Sequence, residues 1–398
     1  MTEPPAPPSG DPAGADSLAS LAEVLAGAGL GPEEIARARD EGTLALIALE
    51  RLALGQQLRY DVAAAVALTG LSERDLRHMW RSLGFPEPEP GEPVFSDEDV
   101  RNFRAVAELL EAGAIQPEIA YSMTRVIGSS MAKVANAVVD TVNARAEGAD
   151  DEGPPFDAPP PLVEGELVLS RFPAILEQVW RRHLQVAARR RLLRGEAEGA
   201  EGLVVGFADL VDFTALAQQA SDEELAGVVD HFEHLTYDVI VGNGGRVVKM
   251  IGDEVMFVVE DPVAAAEIAL GLADESRDAA ELTDVRVGMA LGPALEREGD
   301  VYGPTVNLAS RATGIAYPGT VVVSAELKEA LADHEGYVFR SIRPRTLKNI
   351  GRVTLWTLRR VDDPGQPSTI RAAIEDRRRQ VREVVSDVVS GIRAPDEP

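Results

Sequence analysis

The sequence predicts an α+β protein: an all-α N-terminal half followed by a C-terminal half of ferredoxin-like type. Three observations carry this reading. Residues 18–145 place Ala and Leu at helical spacing between breaks at Gly29-Leu30-Gly31-Pro32, Gly70, Gly84 and Gly113. From Gly202 onward short β-branched runs alternate with helical ones. Between the halves, residues 147–166 are rich in Gly, Pro and acid, a composition that resists packing and reads as a linker.

The chain of 398 residues, 45% hydrophobic and 26% charged, can bury at least one substantial core and has room for two or three domains. Its formal charge of -27 repels nucleic acid and anionic lipid unless a local basic face overrides it. No cysteine is present, which excludes disulfides, thiolate metal sites and cysteine nucleophiles. Residues 1–17 read as a disordered start without the basic and apolar regions of a signal peptide. No apolar run approaches the roughly 20 residues needed to span a bilayer, so a cytoplasmic protein with no membrane partner is expected.

In chain order, residues 18–146 form the helical domain, 147–166 the linker and 167–195 a connecting helix. Within that helix Ile175, Leu176, Val179, Trp180, Leu184 and Ala187 share one side, while Arg181, Arg182, Arg189, Arg190, Arg191 and Arg194 make a solvated basic face. Residues 196–362 form the second domain. Residues 203–207 read as a strand, 216–241 as a helix, and 246–251 and 254–259 as strands joined by a Gly252-Asp253 turn. A helix at 263–276, a strand at 285–291, a helix at 306–316 and a strand at 320–324 follow. This order fits an antiparallel or mixed sheet with helices on one face. The tail, 363–398, carries a helical pattern over 368–392.

Two runs bear chemistry: Gly206-Phe207-Ala208-Asp209-Leu210-Val211-Asp212-Phe213-Thr214 and Lys249-Met250-Ile251-Gly252-Asp253-Glu254-Val255-Met256-Phe257. Each sets an Asp beside an apolar β-like stretch. One such Asp most simply satisfies nearby backbone donors. Two carboxylates on adjacent strands make a hard-oxygen site suited to Mg²⁺ and a triphosphate. Thr214 stands where a helix begins, so free N–H groups lie beside those carboxylates. Gly206 and Gly252 are expected to let the backbone approach the same place closely. A third run, Gly299-Asp300-Val301-Tyr302-Gly303-Pro304-Thr305-Val306-Asn307-Leu308-Ala309-Ser310-Arg311, puts Asn307 and Arg311 on one helical face, able to meet a ribose and a phosphate together.

In their order and spacing these three runs resemble the catalytic domain of class III nucleotidyl cyclases, over roughly residues 200–360. The resemblance implies that Asp209 and Asp253, with the Leu210 carbonyl, hold two Mg²⁺ or Mn²⁺ ions per active site. It implies that Lys249 and Asp300 select adenine, that Asn307 orients the ribose, and that Arg311 stabilises charge on the α-phosphate. Phe213 and Thr214 would line the substrate, and Arg286 and Lys348 are further candidates for phosphate contacts. An ammonium only donates, so Lys249 suits adenine N1, while Asp300 accepts from the N6 amine; guanine presents the reverse pattern. The implied reaction converts ATP to 3′,5′-cyclic AMP and pyrophosphate at the interface of a homodimer. A diguanylate cyclase would show a double glycine where this chain has Ile251-Gly252-Asp253-Glu254.

In the N-terminal half, residues 60–77, with Phe95-Ser96-Asp97-Glu98-Asp99-Val100, resemble the helix-turn-helix of MerR-type regulators. Arg74, Arg77, His78 and Arg81 could meet phosphates there. Glu87, Glu89 and Glu92 follow where a wing would approach DNA, which favours a regulatory domain over true DNA binding. The whole architecture resembles actinobacterial adenylate cyclases with a soluble helical regulatory domain, some of them pH-responsive. A pH response would call on histidine, the residue type whose reference pKa lies near neutrality; His78 and His183 lie in or near the regulatory half but read first as ordinary surface or packed residues, and His231 and His234 read as structural.

Overall fold

The computed structural model describes residues 25–26, 30–41, 43, 46–47, 49–50, 57–147, 161–196, 202–279, 282–347 and 350–362. The helical pattern at 368–392 and Lys348 lie outside them. The chain divides into two compact units, Met1–Glu196 and Ala197–Pro398.

In the first unit, helices begin where a capping group meets an apolar run. Helix α1 (Pro32–Asp40) opens on a proline, which loses nothing by lacking an N–H there. Asp61 caps α2 (Val62–Thr69) by accepting from the Ala64 N–H at 2.8 Å, and Ser72 caps α3 (Glu73–Ser82) by accepting from the Asp75 N–H at 3.1 Å. Gly70, at φ +79, ends α2 in the left-handed conformation that lets α3 start after Gly70-Leu71-Ser72. Helix α4 (Asp97–Glu111) has a reciprocal capping box between Ser96 and Asp99. Leu76, Met79, Val100 and Phe103 of these helices, with Phe95 just before α4, share one core with Ala120 of α5 (Pro117–Glu147). Close approach of α5 to the end of α3 needs Gly128, where a Cβ would lie 2.5 Å from the Leu83 backbone.

The unit departs from the all-helical expectation at one antiparallel bridge between Tyr60 and Phe95. Residues 161–166, expected in the linker, instead form the first turns of α6 (Pro161–Glu196), which also runs through Pro173. The proline cluster marks a helix start because Pro161 occupies a position that tolerates it. Along α6 the apolar face is open in the single chain, Trp180 being 59% exposed. Two of the α3 basic groups are engaged locally: Arg77 bonds Glu73 and Glu87, and Arg81 bonds Glu87 at 2.7 Å. His78 sets its ring edge against Tyr121, 4.3 Å between centroids.

The second unit is organised around β1 (Leu203–Leu210), all eight residues of which are buried. It pairs antiparallel with β3 (Glu254–Val259) on one side and with β4 (Val285–Gly292) on the other; β2 (Arg246–Ile251) flanks β3. Beyond β4 the sheet continues through β7 (Val321–Val323), its one parallel neighbour, then β11 (Trp356–Arg360) and β8 (Tyr337–Ser341). Two small hairpins stand apart: β5 (Leu295–Arg297) with β6 (Asp300–Tyr302), and β9 (Arg345–Leu347) with β10 (Gly351–Val353). The order β2-β3-β1-β4, with helical crossovers after β1 and β3, is the ferredoxin-like core the alternation predicted.

Helical crossovers follow capping signals. The expected helix at 216–241 is two helices, α7 (Phe213–Ala217) and α8 (Asp222–Gly242). Ser221 and Glu224 form a capping box that restarts the chain, a signal outweighed in the sequence by the continuous apolar pattern. Phe232, Leu235, Val239 and Ile240 of α8, with Ile268, Ala269 and Leu272 of α9 (Pro262–Asp278), cover Val204, Ala208 and Leu210 of β1. The opposite face is not bare, as one-sided cover would have left it. Ala309 of α10 (Pro304–Thr313) joins Leu203, Val205, Phe207, Met256 and Val258 there. A short helix, α11 (Ala325–Ala330), completes the described set.

Two glycines are explained by packing. Gly206 lies under the Phe257 ring, where a Cβ would come within 2.2 Å, so it serves the core and not a phosphate approach. Gly288 admits the end of α10: a Cβ there would sit 2.0 Å from the Thr313 nitrogen. Gly288→Ala should therefore cost about 1–3 kcal/mol through overpacking. A urea melt with an unchanged midpoint would contradict that contact.

Candidate active site

Strand register brings the two signature aspartates together. Asp209, at the end of β1, faces Glu254 across one ladder and Arg286 across the other. The Leu210 N–H donates to the Asp253 carbonyl at 3.1 Å, which ties the β2–β3 turn to the end of β1. Gly252, at φ +63, permits that tight turn. Asp253 thus reaches the same end of the sheet as Asp209 although 44 positions separate them in the sequence.

An open cleft of about 400 Å³ lies here, lined by Leu210, Val211, Asp212, Phe213, Thr214, Asp253 and Arg286 among others. Asp212 adopts a left-handed φ of 59, rare for a residue with a side chain, and so turns the chain from β1 into α7. Phe213 and Thr214 form the first residues of α7 at the cleft wall. Arg286 donates its Nε–H to Asp209 at 2.6 Å, with a second guanidinium contact to the same oxygen. It lines the cleft as the counter-charge of Asp209.

Charge is crowded at this strand end. Burial pushes the Asp209 carboxyl up, Arg286 opposes the shift, and the neighbouring Asp253 adds to it. Glu254 is pushed up to about 7 by burial, then by the charges of Asp209 and Asp253. Sequence reasoning gave Glu254 no part; the signal was its position directly after the Asp253 turn, which sets it opposite Asp209. The oxygens of two carboxylates suit a hard divalent ion, and repulsion among three acids facing one arginine would fall when a cation binds. Among the described residues no three His, Cys, Asp or Glu side chains converge into a cage, so an ion would complete its shell with main-chain, water and phosphate oxygens, as Mg²⁺ commonly does.

The remaining sequence candidates form separate groups. Lys249 and Asp300 meet each other, Nζ to carboxylate at 2.6 Å, and the Val301 N–H donates to the other Asp300 oxygen at 2.7 Å. Burial raises Asp300, but Lys249 and that N–H hold its carboxyl below the usual range. Asn307 and Arg311 lie on α10 and are exposed; neither side chain has a hydrogen-bond partner among the described residues. None of these four lines the cleft that holds Asp253 and Arg286.

A folded pKa of about 7 for Glu254 lies above its unfolded value, so the folded state binds this proton more tightly and loses stability as pH rises between about 4.5 and 7. Glu254→Gln removes that loss. In metal-free protein its Tm should rise relative to wild type across this window and level off above it. A difference independent of pH would contradict the assignment.

Residues 196–360 match the family described as the adenylate and guanylate cyclase catalytic domain. The chain is 36% identical to an adenylate cyclase of Streptomyces coelicolor over 75% of its own length and 79% of that protein. With an adenylate cyclase of Glutamicibacter nicotianae it shares 31% identity over 88% of its length and 90% of that protein's. A pH-sensitive adenylate cyclase of Mycobacterium tuberculosis is 38% identical over 41% of this chain and 42% of its own. No described helix is long and apolar enough to cross a membrane. With the strand-end carboxylates, the Lys249–Asp300 pair and likeness along most of its length, the chain belongs to the class III adenylate and guanylate cyclase family.

Proposed function

We propose that this protein is an adenylate cyclase that works as a homodimer, each subunit supplying half of two equivalent sites. The observation that carries the reading is the division of polar groups within one chain. The cleft has carboxylates and a helix-start loop but no base-reading pair, while Lys249–Asp300, Asn307 and Arg311 stand outside it. A second copy related by two-fold symmetry would bring each set to the other's missing half.

In such a site Asp209, Asp253 and the Leu210 carbonyl hold the divalent cations, Mg²⁺ or Mn²⁺, two to a site. When bound these supply Lewis-acid polarisation of phosphate oxygens and of the 3′-hydroxyl. Phe213 and Thr214 place the triphosphate against the start of α7, and Arg286 balances the carboxylate charge. From the partner, Lys249 donates to adenine N1 and Asp300 accepts from N6, a reading supported by their contact with each other. Asn307 orients the ribose, and Arg311 meets charge growing on the α-phosphate as the 3′-oxygen attacks phosphorus and the bond to pyrophosphate breaks. The protein itself forms no covalent intermediate. Lys348 remains a proposed phosphate contact on sequence alone.

Control by the N-terminal unit completes the proposal. Helix α6 ends at Glu196, just before β1 in sequence, and one relative matched over the shorter span is named pH-sensitive. A cytoplasmic location accords with this role. The engagement of Arg77 and Arg81 by Glu87 favours regulation over DNA binding.

Three outcomes are expected. Purified protein with ATP and Mn²⁺ should form cyclic AMP, and Asp253→Ala should abolish it without changing the fold seen by circular dichroism. Asp209→Ala and Arg311→Ala should each be inactive alone, yet co-expression should restore about a quarter of wild-type turnover, since random pairing makes half the dimers mixed and each holds one intact site. No recovery would mean the groups act within one chain. Finally, the pH profile of the full chain should differ from that of residues 195–398; superimposable profiles would remove the regulatory proposal.

A further inference from the structure

Arg246 and Lys249 sit three apart on β2, so in a regular strand they would point to opposite faces of the sheet. The ladder to β3 is irregular: Arg246 pairs with Val258 and Val247 with Phe257, but Lys249 pairs with Met256. Val248 is therefore an extra residue, a bulge. Val258 and Met256 belong to the same buried cluster, on the face of α10. The bulge thus returns Lys249 to the face that Arg246 already occupies.

Both side chains then meet the β5–β6 hairpin. Arg246 donates to the Glu296 carboxylate at 2.9 Å and to the Gly299 carbonyl at 3.1 Å, while Lys249 meets Asp300. Arg246 and Glu296 are only 25% and 28% exposed, which spares them much of the screening of surface pairs. The hairpin needs such an anchor. Its strands pair only with each other, and a two-stranded ribbon of this length is marginal in water. Val301, 2% exposed, fixes it from the apolar side; Arg246 fixes the turn that leads into Asp300.

We propose that Arg246 is a positioning residue for base selection, clamping the β5–β6 hairpin to the bulged strand so that the Asp300 carboxylate is held beside Lys249 in the geometry that reads adenine. This rests on the reading of Lys249 and Asp300 given under the proposed function. Arg246 touches neither base nor phosphate in this scheme. Its effect is to remove the freedom of Asp300, which without the clamp would move with a loose hairpin and accept from other donors.

The test uses the full-length chain and the variants Arg246→Gln and Arg246→Lys. ATP and GTP compete for a bound fluorescent ATP analogue, and amide hydrogen exchange is followed over residues 295–302. Arg246→Gln should weaken ATP about tenfold, as loss of a charged hydrogen bond would, while GTP changes far less. Exchange in the hairpin should quicken, and Arg246→Lys, which keeps the charge but not the two-armed fork that meets Glu296 and Gly299, should lie between. An ATP-to-GTP ratio equal to wild type would overturn the selective role even if exchange quickened, and wild-type exchange would overturn the clamp. Neither readout requires turnover, so wild-type protein that made no cyclic AMP would refute the adenylate cyclase reading while these two measurements still decided the clamp.

Discussion

Antiparallel pairing of β1 with both β3 and β4 is the constraint on which the rest depends. That register places Asp209 between Glu254 and Arg286, and it ties the Asp253 turn to the Leu210 amide. A slip of one residue would turn Asp209 into the apolar layer under α8 and α9 and lift Ala208 to the cleft. The register is held because β1 is apolar on both faces: Val204, Ala208 and Leu210 fill one layer, Leu203, Val205 and Phe207 the other. Packing on two sides thus fixes the position of a charged group that packing alone would reject.

That group is held at a cost which a ligand can relieve. Asp209 and Glu254 both bind protons more tightly than free carboxyls because burial disfavours their charged forms, as does the charge of Asp253 on both and of Asp209 on Glu254. A divalent cation bound here would reverse that balance and so couple ion binding to local stability at this end of the sheet. The other polar set is organised differently. Lys249 and Asp300 satisfy each other, and Asn307 and Arg311 are left exposed on α10.

Much of this was legible in the sequence, and the failures have physical causes. Asp209 and Asp253 were found because each stands beside a short apolar run, Lys249 and Asp300 because their runs resemble a known family, and the structure brings the four together in two pairs. The core order of strands followed from the alternation of β-branched and helical runs. Strands β8 to β11 were missed because they are short, and Arg340, Arg345, Arg352 and Arg360 break their apolar alternation. Arg360 bonds Glu267 and Asp274, so it closes β11 onto α9 through charge, which no hydrophobic pattern reveals. Gly206 was misread for a related reason: its role depends on the Phe257 ring, a neighbour set by sheet pairing and not by sequence proximity. The Val248 bulge is equally silent in sequence, yet it decides which way Lys249 points.

The central claim is that two copies of this chain complete each other's site, and diffraction from crystals grown with Mn²⁺ and a non-cyclisable ATP analogue addresses it most directly. The account predicts anomalous manganese signal between Asp209 and Asp253 of one subunit, with the adenine of the same nucleotide held by Lys249 and Asp300 of the other. Manganese bound away from those aspartates, or a nucleotide whose metals and base contact a single chain, would contradict it.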